Sequence, residues 1–355
     1  MIPRLLRWTR SVFQGLALLA GAGLAYQTVA EARDKRKYPP PGRLVRVDGH
    51  RLHIYCSGEG QPAVVLDAGL SCSSLDWSRV QPAVAQLTCV CAYDRAGYGW
   101  SDPGSPPRTS QALVNELHTL LTRAGVAGPY VLVGHSFGGL NVRLYASTYP
   151  DEVVGMVLVD AAHEDQRARM PPRPRTTRLR HDAEWQLYRL NPLWARLGVL
   201  RLRNRPNGPV DLLPPEIQPI ATAIGLRPRA YDWIYGESAV IATSERQIRV
   251  AAPIRDIPLA VVSAHIRWAP SGMSVGAMDQ AWQELQGELA GLSPNSTHII
   301  AEKSGHMIHL EAPELVINAI LRVVEAVRAQ EQTAVEELPR GDSLEERSCN
   351  ARASR

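Results

Sequence analysis

Two rhythms of apolar and polar positions alternate along the chain, and the switches between them mark its elements. Arg43–Val47 and Arg51–Cys56 alternate in period two around Asp48-Gly49, a β-hairpin signal. Ala63–Asp67, Cys89–Tyr93, Val131–Val133, Val153–Val159, Ile257–Ser263 and Thr297–Ala301 are short, nearly unbroken apolar runs. All six read as strands, and Ala63–Asp67, Val131–Val133 and Val153–Val159 as strands covered on both faces. Between them lie stretches of helical period: Val80–Leu87, Gln111–Ala124, Leu140–Tyr145, Met278–Leu289 and a last helix from Pro313 to about Ala329. Strand and helix in alternation imply right-handed crossovers. The expectation is an α/β fold: a mostly parallel eight-stranded sheet with helices on both faces, its active groups at the carboxyl ends of strands.

Three regions break this alternation. In residues 163–255, ten prolines from Pro171 to Pro228 punctuate short helical pieces, and aromatics are dense, among them Trp185, Tyr188, Trp194, Tyr231, Trp233 and Tyr235. They read as a helical cap inserted into a core made of residues 38–162 and 256–329. The aromatics either line an apolar substrate cavity or bind the cap to the core. Residues 1–37 stand apart: Arg4, Arg7 and Arg10 precede the apolar stretch Ser11–Ala30, and Arg33, Lys35, Arg36 and Lys37 follow it. This is the length of a short membrane span, narrowed by Gln14 and Gln27. A single-span anchor is the first reading, a cleaved signal segment with export the second, and a surface helix or a cap over the domain the third. Tyr38–Gly42, with three prolines, reads as a stiff spacer. The charged tail 330–355 is expected to be disordered.

Composition narrows the function. At 355 residues the chain holds one large α/β domain with an insertion, or two ordinary domains. The net charge of +4 is small and its basic residues cluster at the N-terminus and at Arg167–Arg180, so no nucleic-acid partner is expected. There is no Cys-x-x-Cys, His-Glu-x-x-His or P-loop, and no metal or cofactor is expected. Cys56, Cys89 and Cys91 would approach one another if their strands were neighbours in the sheet. Reduced, buried thiols are the expectation for them, with one disulfide as the alternative on the oxidising side of a membrane.

The chemistry gathers at Gly134-His135-Ser136-Phe137-Gly138, between the run Val131–Val133 and the helix that follows. A serine at such a strand-to-helix turn is strained and lifted above the sheet edge, and the flanking glycines leave room for the turn. Ser136 is therefore the candidate nucleophile. Asp67-Ala68-Gly69-Leu70 ends another strand, in a loop whose amide could face a developing oxyanion. Asp94 and Arg95 are expected to form an internal ion pair that holds the tight loop through Gly97 and Gly99.

Together with Val157-Leu158-Val159-Asp160 and Ser304-Gly305-His306, these motifs resemble the α/β-hydrolase superfamily, from about Arg43 to Ala329. The resemblance implies a serine hydrolase of esterase or lipase type. Ser136 would be its nucleophile and His306 its general base. The amides of Leu70 and Phe137 would form the oxyanion hole. His309 is the competitor and matches a non-catalytic histidine of the family pattern. Many relatives carry the triad acid after the next-to-last core strand, but here that loop, Ser263–Pro270, has no acid before Asp279. Asp160, after the strand that follows the nucleophile helix, is the first choice and Asp279 the second. His135 is expected to be packed beside the serine rather than chemical, and His163 either structural or at the pocket mouth. The expected substrate is a small or medium hydrophobic ester. The alternatives are an iminopeptidase or amidase, and a non-catalytic binding protein of the same fold. Epoxide hydrolysis and dehalogenation on this fold use a carboxylate nucleophile, where this elbow carries serine.

Overall fold

The computed structural model describes residues 2–336. Helix α1 (Ile2–Lys37) leads into strands β1 (Arg43–Val47), β2 (His50–Ser57) and β3 (Ala63–Asp67), helix α2 (Gln81–Val84) and strand β4 (Val90–Tyr93). Then follow α3 (Ser110–Ala124), β5 (Tyr130–His135), α4 (Phe137–Thr148) and β6 (Val153–Val159). The chain next leaves the sheet for α5 (Gln166–Arg169), α6 (Arg175–Tyr188), α7 (Asn191–Arg196), α8 (Val199–Leu202), α9 (Gln218–Gly225) and α10 (Pro228–Arg249). It returns through β7 (Leu259–Ala264), α11 (Val275–Ala290), β8 (Ser296–Ala301), α12 (Ile308–Glu311) and α13 (Pro313–Glu336).

The strands form one eight-stranded sheet in the order β1-β2-β4-β3-β5-β6-β7-β8. β2 pairs antiparallel with β1 and β4, and every other pair is parallel. Period two explains the two-sided core. Val65, Leu132, Leu158 and Val261 point to one face, under Leu117, Leu121 and Leu144 of α3 and α4. Val64, Val133, Val157 and Val262 point to the other, under Val316, Ile320 and Val324 of α13. Burying one such side chain contributes roughly 1.5–3 kcal/mol. An unbroken run of them fits a central strand, whereas Thr297–Ala301 lies in the edge strand β8, with Ile300 exposed.

The structure departs from the sequence expectations at several places. Cys56 and Cys91 are joined in a disulfide. They stand directly opposite each other where β2 and β4 pair, the register that brings two side chains within bonding reach. Cys89 stays free. Asp94 and Arg95 do not pair with each other. Successive residues at a strand end point to opposite sides. Asp94 accordingly bonds His53 Nδ1 at 2.8 Å and the amides of Ser74 and Trp100, while Arg95 turns towards Asp67.

The N-terminal segment is not separate from the domain either. Gln27 donates to the carbonyl of Leu226 at 3.1 Å, Asp34 pairs with Arg201 at 2.7 Å, and Gly23 fits so close to the Leu197 carbonyl that a Cβ would collide. By length and composition alone, one stretch of α1, Arg10–Lys37, is apolar enough to cross a membrane. Tyr38–Gly42 is no free spacer. Trp100 Nε1 donates to the Tyr38 carbonyl at 3.0 Å, and His53 Nε2 meets that of Pro41. At the other end α13 runs on through residues 330–336, expected to be disordered, in the helix-forming run Gln-Glu-Gln-Thr-Ala-Val-Glu. The rest of that tail lies outside the described residues.

Candidate active site

Three neighbouring strands, β5, β6 and β7, end on one edge of the sheet. Past β5 comes Ser136, with φ 51° and ψ −119°, a conformation L-residues rarely adopt. Crowding holds it there. A Cβ on Gly134 would fall 2.6 Å from the Gly138 carbonyl, and one on Gly138 would strike the carbonyl of Asp67. The Ser136 amide donates to Val159 O at 3.1 Å and its carbonyl accepts from Ala162 N at 2.9 Å, which ties the turn to β6. Phe137 opens α4, so its amide has no acceptor within the helix. The loop that carries Leu70 runs alongside: a Cβ on Gly69 would sit 3.2 Å from Ser136 Cβ.

Past β6 comes Asp160, buried, with φ 41°. Its Oδ2 lies 2.6 Å from His306 Nδ1. Its Oδ1 accepts from Ala264 N at 3.0 Å and from Trp282 Nε1 at 2.9 Å. With three donors around it, this carboxylate is fixed in position. The His306 side chain is half exposed. Its backbone carbonyl accepts from His135 Nε2 at 3.0 Å, and the two imidazole rings are 4.7 Å apart. Burial pushes the pKa of His135 well below the ordinary value, and the neighbouring His309 and His306 push the same way. His135 is therefore a neutral ring that ties the elbow to the His306 loop.

The alternative residues are engaged elsewhere. Asp279 bonds His265 Nδ1 at 2.8 Å and Ile266 N at 2.7 Å. His309 is fully buried between Trp77 and His135, and burial lowers its pKa to about 3. His163 is also buried, and its Nδ1 accepts from Asp165 N at 3.0 Å. A groove of about 680 Å3 lined by Pro39, Pro41, Tyr55, Trp100 and Ile217 includes none of these residues.

Two supports of the site escaped the sequence reading. Trp282 lies on the inward face of α11 with Leu285, Gln286 and Leu289. Periodicity gives that face, but not the strand end its indole reaches. The other support centres on Arg95. It donates from Nη1 to Asp67 Oδ1 at 2.7 Å and to Ala68 O at 2.6 Å, and from Nη2 to Gly69 O at 2.8 Å. From Nε and Nη2 it also reaches Glu237 of α10, at 2.9 and 3.1 Å, where the Tyr98 hydroxyl donates at 3.0 Å. Burial works against charge on Arg95, but Glu237 and Asp67 outweigh it and hold its pKa above the ordinary value. A signal for Glu237 was available: it interrupts the apolar stripe of Tyr231 and Ile234, and an acid in such a stripe needs a partner.

A family model described as "Alpha/beta hydrolase family" matches residues 64–319. The chain belongs to the alpha/beta hydrolase family. The chain is 27% identical over 321 residues to the "Probable transporter efuK" of Hormonema carpetanum, which covers 82% of this chain and 44% of that protein. The chain thus spans less than half of that relative. It is 26% identical over 279 residues to the uncharacterized protein YqjL of Bacillus subtilis (strain 168), covering 78% and 89% of the two chains. In fold it is similar to a thermophilic esterase from Thermogutta terrifontis, at TM-score 0.57, 20% identity and coverage of 80% and 98%.

Proposed function

We propose that this hydrolase cleaves a carboxylic ester through an acyl-enzyme on Ser136. His306 takes the hydroxyl proton as Ser136 Oγ bonds the carbonyl carbon. The amides of Leu70 and Phe137 receive the oxyanion. Collapse of the tetrahedral intermediate breaks the bond to the alkoxy oxygen, and His306 returns its proton to the leaving alcohol. Water then repeats the sequence on the acyl-enzyme and regenerates Ser136. Asp160 orients His306 and stabilises its charged form. The observation that carries this reading is the 2.6 Å bond from Asp160 Oδ2 to His306 Nδ1, with the strained Ser136 ending the adjoining strand. This acyl transfer draws on side chains and backbone amides alone.

Around that chemistry, the helices between β6 and β7 act as a cap over the site. The α1 helix holds the enzyme at a membrane, and the Cys56–Cys91 disulfide favours the oxidising side of it for the domain. The substrate is a small or medium hydrophobic ester. Turnover of chromogenic alkanoyl esters by the full chain in detergent tests the reaction. The expected result is turnover in the wild type and its loss in Ser136→Ala and His306→Gln. Release of amine from short peptides with no ester turnover would replace this reading with an amidase.

A further inference from the structure

The inserted helices carry an exposed, largely apolar face, on which Leu187, Tyr188 and Trp194 line an open groove. Leu187, Tyr188, Leu190, Leu193, Trp194 and Leu202, from the end of α6 to α8, are between 40 and 72% exposed. An apolar patch of this kind marks an interaction site rather than ordinary surface. Its position relative to α1 identifies the partner. The turn between α7 and α8 is one place where α1 touches the insertion: Gly23 lies against Leu197, and Gly198 against Tyr26. The polar Gln27 within the apolar stretch is satisfied by Leu226 O at the end of α9 and by Arg201 Nε of α8.

The length of α1 adds a constraint. Only Ser11–Ala22 of its apolar stretch precedes the contact with the insertion. At 1.5 Å per residue this is about 18 Å of helix, while a bilayer's hydrocarbon core is about 30 Å thick. Counting on to Ala30 supplies the missing length, but that part of α1 is packed against α7–α8. A bilayer that covers the whole apolar stretch must therefore reach the α7–α8 turn as well. Tyr188 and Trp194 are the side chains that favour the membrane–water interface. Exposed Arg189, Arg203 and Arg205 border the face as cations suited to anionic headgroups.

We infer that the exposed face of α6–α8 is a lipid-docking surface, seated in the interface of the same bilayer that holds α1. The inference rests on the membrane role of α1 and is independent of the ester chemistry. It is tested with the full chain reconstituted in vesicles of phosphatidylcholine and phosphatidylglycerol. Flotation reports membrane attachment, quenching of tryptophan emission by acyl-chain-brominated lipid reports which tryptophans meet lipid, and fluorophosphonate labelling reports the active site.

The expected result is co-flotation of both wild type and Trp185→Phe/Trp194→Phe, with a marked loss of quenching in the double variant. The other tryptophans are common to both chains. In the surface variant Leu187→Asp/Leu202→Asp, quenching of the retained Trp194 should fall while labelling persists. Equal quenching in wild type and the Trp double variant, with flotation intact, would overturn the docking surface and leave α1 as the sole attachment. Failure of the wild type to float would overturn both the anchor and the surface, whatever the labelling. A dimer that covers Trp194, persists in vesicles and shields it from brominated lipid would assign the face to a second copy instead.

Discussion

Glu237 is the point at which the inserted helices grip the loop beneath the candidate active site, and its removal has a magnitude that can be worked from the structure. The carboxylate is fully buried and takes two bonds from Arg95 and one from Tyr98. Truncation to alanine leaves the guanidinium Nε and the Tyr98 hydroxyl without their acceptors. Breaking a buried ion pair by removing one partner costs about 3–5 kcal/mol. Asp67 still faces Arg95, so the lower end of that range applies to Glu237→Ala. Glu237→Gln keeps the shape and one acceptor oxygen but turns an amide N–H towards the guanidinium. It loses charge-assisted bonding worth about 1.5–3 kcal/mol. The assay is urea unfolding of the full chain in detergent, read beside the rate of fluorophosphonate labelling. Arg95 also holds the carbonyls of Ala68 and Gly69, next to the Leu70 amide. Labelling should therefore slow about tenfold in the alanine variant, a loss of about 1.4 kcal/mol at the transition state. An alanine variant within about 1 kcal/mol of wild type, with unchanged labelling, would refute the reasoning, because surface substitutions reach no further than that.

Other perturbations bear on separate parts of the structure. Burial, opposed by the Ser73 bonds, raises the Asp76 carboxyl from its ordinary 3.8 to about 6. The fold thus prefers the protonated form, and stability present below about pH 4 is lost as pH rises through 6. Asp76→Asn should gain on wild type by about 3 kcal/mol between pH 4 and 7 in paired urea titrations, and a constant difference would contradict the cause given. The Cys56–Cys91 bond closes a sequence separation of 35 residues, so Cys56→Ser/Cys91→Ala should lose about 4 kcal/mol of unfolding free energy. An oxidised chain that unfolds at the same urea concentration as this variant would rule that out. Trp282→Phe removes one donor from Asp160. It should lower kcat about tenfold with little change in KM, and an unchanged kcat in a folded variant would remove Trp282 from the support of Asp160.

Much of this architecture was legible in the sequence, for physical reasons. A strand buried on both faces must be a short apolar run, and the runs at Ala63–Asp67 and Val153–Val159 coincide with β3 and β6 residue for residue. The elbow was legible because steric demand writes glycine at fixed offsets from Ser136. What stayed hidden depended on pairing between distant segments. The Cys56–Cys91 bond follows from the register of β2 on β4, which no local pattern contains. The partner of Arg95 lies 142 residues away on α10, so proximity in sequence favoured Asp94. That Asp160 and not Asp279 meets His306 depends on which strand end faces that histidine, and sequence alone gives strand ends without their mutual orientation. The N-terminal helix was set apart on composition, yet Gln27 and Asp34 record a packing contact with the insertion.

The central claim is a triad of Ser136, His306 and Asp160, and fluorophosphonate labelling of the full chain tests it most directly, with four forms compared in one experiment. The account predicts rapid labelling of wild type and of Asp279→Asn, none of Ser136→Ala, and a rate for Asp160→Asn lower by up to about 10^4-fold. Labelling that survives Asp160→Asn and falls with Asp279→Asn, or a folded wild type that takes no label, would contradict it.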